Sequence, residues 1–162
     1  MSHDTIKTWY IAGLQAYRSA SEQGKTAASQ AEGQFKDREL RKLAGEGAAL
    51  CGRQHQAMID FLKELDTQPN DFKDRIQAGI AEGTEMAVKA ASDDASHDVA
   101  MSFGARAGLT YVEVAFANHA IYAKALDLPK QAEAFTRLSQ ESKALDERYA
   151  KAAEAAVGKQ AA

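Results

Sequence analysis

The sequence predicts an all-α protein: a four-helix bundle of two helical hairpins, with a short fifth helix in the long crossover between them. Three observations carry this. Only two prolines, Pro69 and Pro129, interrupt 162 residues in which alanine is abundant, and alanine is the best helix former and proline the worst. Apolar residues recur at steps of three and four along five stretches. Four of those stretches are long, with a short turn inside each pair and a crossover at about 67–98 between the pairs, which is the connectivity of a bundle with one long crossover.

The first helix spans about Thr5 to Ala31, with Tyr10, Leu14, Tyr17, Ser21, Gly24 and Ala28 on its inward stripe. Asp4 or Thr5 suits its N-cap. The second runs from about Asp37 to Leu65 along Leu40, Leu43, Gly47, Leu50, Gln54, Ala57, Phe61 and Leu65. Thr67-Gln68-Pro69-Asn70 ends it, because a residue preceding proline is driven out of helical angles. The third helix, about Asp71 to Ala91, carries Phe72, Ile76, Ile80, Gly83 and Ala87 on one side.

The polar run Ser92-Asp93-Asp94-Ala95-Ser96-His97-Asp98 is a loop or N-cap cluster. A fourth helix from about Asp98 to Leu126 then presents Phe103, Ala107, Thr110, Val114, Ala117 and Ile121. Pro129 fits the first turn of the last helix, whose stripe is Ala132, Phe135, Leu138, Ser142, Leu145, Tyr149 and Ala152, and Gly158 suits its C-terminal stop. Gly13, Gly24, Gly47, Gly52, Gly104 and Gly108 each weaken a helix by roughly 1 kcal/mol; close helix approach compensates for several. One domain spans 1–162, with its core at about 5–157.

Composition excludes several functions. The chain is 45% hydrophobic and 27% charged, with a net charge of −3, and its Lys and Arg residues are interleaved with Asp and Glu. That is no footprint for a nucleic-acid backbone. No apolar run approaches a membrane span. The start, Met1-Ser2-His3-Asp4, lacks the features of a secretory signal, and one cysteine, Cys51, cannot make an intrachain disulfide. A cytoplasmic protein is expected.

Four inward positions decide the chemistry, one per long helix: Ser21, Leu50, Thr110 and Ser142. A pair of hard cations needs several bridging carboxylates there, completed by imidazoles. None of the four residues can serve. Gln54 is the one large polar side chain expected inside, and it should hydrogen-bond to Ser21, Thr110 or Ser142, since a buried amide left unpaired costs about 1–3 kcal/mol.

Several runs resemble a known family. Tyr17-Arg18-Ser19-Ala20-Ser21-Glu22-Gln23 is similar to a Tyr-Ser-Ala-Glu-Lys-Gln run, and Glu39-Leu40-Arg41 to a Glu-Leu-Arg that opens a second helix. Gln54 falls on a recurrent Gln. Tyr111-Val112-Glu113-Val114-Ala115 resembles a His-Tyr-Glu-Ile-Ala, and Ala125-Leu126 through Glu141, Lys143, Asp146 and Glu147 keeps the same spacing without gaps. The family is the YciF/YciE-like branch of the ferritin-like superfamily, and the likeness extends from about Tyr10 to Ala153. It implies a ferritin-like bundle and a bacterial stress context. Matched to the family, the metal-ligand positions become Ser21, Leu50, Thr110 and Ser142, so the site is degenerate. Glu22, Glu46, Glu113 and Glu141 are the nearest acids, one per helix, and a one-residue slip in the first helix would bring Glu22 onto a ligand position. No Glu-x-x-His occurs.

The remaining candidates are read structurally. His3, His55, His97 and His119 do not pair at a ligand spacing, and His55 and His119 should reach solvent or a helix margin. Asp93, Asp94, His97 and Asp98 suit a helix N-terminus better than a metal. Cys51 has no neighbouring base and reads as a buried thiol. The fourth helix also carries Tyr111, Val112, Ala115, Phe116 and Tyr122, so it is apolar over most of its circumference and should be buried on more than one side. A homodimer that uses this surface is expected, with cover by the third helix as the alternative.

The expected function is a non-catalytic bundle without cofactor or metal. One alternative binds iron or manganese through Glu22, Glu46, Glu113 and Glu141. Another binds a small ligand in a cavity lined by Ser21, Gly47, Thr110 and Ser142.

Overall fold

The computed structural model describes residues 1–158 as five helices. They are α1 (His3–Gln34), α2 (Arg38–Glu64), α3 (Arg75–Lys89), α4 (Asp94–Ala125) and α5 (Pro129–Gly158). Helices α1 and α2 form one hairpin and α4 and α5 the other. The hairpins pack with α1 against α4 and α2 against α5, and α3 lies over the seam between α1 and α4. Among the described residues no helix is long and apolar enough to cross a membrane.

Side-chain caps fix the helix starts. Ser2, not Asp4 or Thr5, caps α1 by accepting from Thr5 N at 3.2 Å. Asp37 accepts from Glu39 N and Leu40 N to open α2. Asp74 accepts from Gln77 N at 2.7 Å, so α3 begins several residues later than its apolar pattern suggests. Asp93 and Ser96 form a reciprocal capping box, which starts α4 at Asp94 rather than Asp98. Helices α2 and α4 end alike: Asp66 (φ 52°) and Asp127 (φ 55°) adopt the left-handed conformation. Thr67 N then reaches back to Leu62 O, and Leu128 N to Ala123 O, both at 2.9 Å, which is the Schellman pattern.

The interior divides into two apolar clusters. Tyr10, Leu14, Met58, Phe61, Phe116 and Phe135 anchor one; Phe35, Leu40, Leu43, Leu109, Leu145 and Tyr149 anchor the other. The stripes expected for α2 and α5 are buried or half-buried throughout.

Helix α4 corrects the sequence reading. Phe103, Val114 and Ile121, expected inside, are 67%, 55% and 62% exposed, and Thr110 and Ala117 are exposed with them. The buried face is instead Met101, Leu109, Val112, Phe116, His119 and Ala123. Two apolar rows run along this helix, so periodicity alone selects either. The surface assigned to a second subunit is corrected with it. Val112, Ala115 and Phe116 are core residues, while Tyr111 and Tyr122 are half-buried at its margin. The row expected for α3 holds only in part: Phe72 precedes the helix and is exposed, Ile76 and Gly83 face solvent, Ile80 and Ala87 are half-buried, and the buried Gln77 turns toward α4.

Candidate functional site

Between the two apolar clusters lies a polar layer. Ser21 on α1, Gln54 on α2 and Ser142 on α5 are buried to 1%, 0% and 0% exposure, with Leu50 beside them at 3%. Thr110 is not part of this layer, because the α4 slip places it on the outer surface. Gln54 Nε2 donates to Ser142 Oγ at 3.0 Å, and Ser142 Oγ donates to Leu138 O at 2.8 Å. Ser21 Oγ and Gln54 Oε1 are buried with no partner.

The acids lie elsewhere. Glu46 forms a two-point ion pair with Arg148 on α5, and this hydrogen bonding holds its carboxyl below the usual range. Glu141 pairs with Arg53 at 3.3 Å. Glu22 is exposed, within 3.8 Å of Lys73 and 4.0 Å of Arg18. Glu113, half-buried on α4, accepts from Ser139 Oγ through its backbone oxygen. Among the described residues no group of three or more His, Cys, Asp or Glu side chains could hold a metal ion. The inward donors are two hydroxyls and an amide, which do not fit a di-iron or di-manganese centre.

His119 is the clearest departure from the sequence reading. Expected at a helix margin, it is 2% exposed, stacked on Tyr10 at 5.2 Å and edge-on to Tyr17 at 4.7 Å. One ring nitrogen, Nε2, lies 3.2 Å from Tyr10 O. Burial drives its pKa down to about 4, so the ring is neutral near pH 7, and Nε2–H donates to the carbonyl. Gly13 admits the ring: a Cβ there would sit 2.1 Å from Nε2. In the sequence, the signal for this imidazole is Gly13, a mid-helix glycine beside the inward stripe of the first helix. The other histidines are dispersed. His55 Nδ1 lies 3.0 Å from Arg18 O, and His97 lies 3.3 Å from Asp98.

The cluster of Asp93, Asp94, His97 and Asp98 separates into structural roles. Asp93 caps its own helix. Asp98 is 2% exposed and reaches the α1–α2 turn, accepting from Lys36 N at 2.9 Å and Asp37 N at 2.7 Å.

A cavity of about 240 Å³ opens beside the polar layer, between α1, α3 and α4, with α2 as its floor. Ser21, Gly47, Cys51 and Gln54 line it, whereas Thr110 and Ser142 do not. Small side chains make the space, and Ile80, Met101, Leu109 and Val112 give it an apolar wall. The exposed Gln30, Gln34 and Glu85 stand at its mouth. Burial raises the Cys51 thiol to about 11, and Tyr149 is also raised, chiefly by burial; both are protonated at neutral pH.

Comparison with known proteins agrees with this architecture. The stress protein YciF of E. coli superposes with a TM-score of 0.88 over 95% of this chain and 98% of its own, at 19% identity. YcfI of Rhodopseudomonas palustris, proposed to be a structural protein, superposes at 0.83 over 89% and 92%, at 17% identity. At such identities the likeness is one of fold. Comparison with curated proteins gives no match. The family described as Domain of unknown function (DUF892) matches residues 5–162. The chain belongs to that family.

Proposed function

We propose that this chain is a metal-free, non-catalytic ferritin-like bundle that works by binding and assembly. One observation carries the reading: at the height where a di-metal centre would lie, the bundle presents Ser21, Leu50, Gln54 and Ser142 inward, while Glu46 and Glu141 are held by Arg148 and Arg53. Turning those glutamates inward would break both ion pairs and bury carboxylates beside apolar walls, at a cost of several kcal/mol per charge. The description of YciF as a stress protein supports a stress-associated setting. A cytoplasmic location suits the lone thiol of Cys51.

Metal analysis tests this. Protein equilibrated with ferrous iron or manganese and then gel-filtered is expected to retain far less than one equivalent. Stoichiometric metal that Glu46→Gln and Glu141→Gln release would overturn the reading and favour the alternative site of Glu22, Glu46, Glu113 and Glu141.

A second reading concerns assembly. Phe103, Ala107, Thr110, Val114, Ala117 and Ile121 follow one another at steps of four and three on the outer face of α4, with the three largest well exposed. Such a row is the seam along which one helix packs on another. This row, rather than the buried Val112 and Phe116, is the surface on which a homodimer would form.

A further inference from the structure

We infer that the cavity between α1, α3 and α4 is a binding site for a compact, neutral, largely apolar molecule carrying one O–H or N–H donor. Three features of the chain define that chemistry. The first is space: about 240 Å³ exceeds the engineered cavity of roughly 150 Å³ that holds benzene in another protein, so a single or fused ring fits.

The second is the pair of unpartnered polar atoms. Ser21 Oγ and Gln54 Oε1 belong to residues of the cavity wall, are fully buried and accept nothing from the protein. A carboxamide oxygen only accepts, and the bond from its amide nitrogen to Ser142 holds the amide in one orientation. A ligand group that meets Gln54 Oε1 must therefore bring the proton, while the Ser21 hydroxyl can accept or donate beside it. Leaving such an acceptor empty costs about as much as a lost hydrogen bond, so a donor placed there gains more than it would on the surface.

The third is charge. The ionisable residues of the wall are Cys51, Tyr149 and Glu85. Glu85 is at the exposed mouth, and the other two are protonated at neutral pH. A carboxylate or phosphate would be stripped of water without a cation to meet it, and an ammonium would find no buried anion. The ligand's polar end sits against α1 and α2, and its apolar body rests on Ile80, Met101, Leu109 and Val112.

Phenol and indole, each compared with a near-isostere lacking the donor (toluene and indene), test this by calorimetric titration and thermal shift. Phenol and indole are expected to bind roughly tenfold tighter than their partners, the factor that one net hydrogen bond supplies. Combining Ser21→Ala with Gln54→Leu should erase that preference while toluene still binds. Ala28→Leu, which fills the cavity from α1, should abolish binding of all four; Ala81→Leu fills it from α3 should the first variant fail to fold. Absence of any binding, equal affinity for phenol and toluene, or binding that survives both filled variants overturns the inference. Metal content plays no part in these readouts, so the inference stands or falls apart from the proposed function.

Discussion

Gln54 gives its amide N–H to Ser142 across the bundle at 3.0 Å, and its own oxygen accepts nothing from the protein. The pair sits where two apolar clusters meet, so a polar contact costs desolvation on both sides. Gln54→Leu removes the unpaired acceptor and leaves Ser142 bonded to Leu138 O. Stability is then expected to change by no more than about 1 kcal/mol, in either direction. Gln54→Ala, which leaves space as well, should cost about 2 kcal/mol or more. Urea unfolding of both variants measures the difference; a large loss in Gln54→Leu would mean that the amide is structurally required.

Gly13 and His119 make a tighter joint. The missing Cβ would fall 2.1 Å from Nε2 and 2.2 Å from Cε1, and the ring is walled by Tyr10, Tyr17 and Phe135. Gly13→Ala is expected to cost about 1–3 kcal/mol through overpacking. Gly83, with nothing within 4 Å of its would-be Cβ, behaves oppositely. Gly83→Ala should stabilise by about 0.5–1 kcal/mol, because alanine loses less freedom in a helix. Thermal melts of the two variants should move in opposite directions.

Burial of His119 also sets a pH dependence. Its folded pKa of about 4 lies below the unfolded value near 6.5. Between those values the unfolded chain binds a proton that the folded chain refuses, so stability falls as pH drops through that window. The contribution is complete above the unfolded pKa and amounts to about 3 kcal/mol across the window. His119→Gln should flatten the slope of unfolding free energy between about pH 4.5 and 6.5 relative to the parent. An unchanged slope would place the acid sensitivity on other groups.

The architecture was legible in the sequence because α2 and α5 carry a single apolar stripe each. Leu43, Leu50 and Phe61 on one, and Phe135, Leu138 and Leu145 on the other, have polar flanks, so only one register buries them. Helix α4 was misread because it has two stripes. One faces its neighbours in the bundle and the other faces outward, and spacing cannot rank them. That single slip misplaced Thr110, the Val112–Phe116 surface and His119 together. The cavity was half legible: Ser21 and Gly47 were placed on it, but its third wall comes from α3, whose own register depends on the Asp74 cap.

The outward row of α4 supplies the last prediction. Phe103, Val114 and Ile121 are more than half exposed, and large apolar side chains in a continuous row favour a partner helix over water. Each contributes about 1.5–3 kcal/mol when fully buried. Two charged replacements, Val114→Glu with Ile121→Glu, are therefore expected to weaken self-association at least about a hundredfold. Both positions are exposed in one copy of the chain, so the melting temperature of the dilute protein should hardly change. Sedimentation velocity across a concentration series separates the outcomes. A parent chain that remains monomeric throughout would remove the homodimer, and a dimer indifferent to both charges would place the interface on another face.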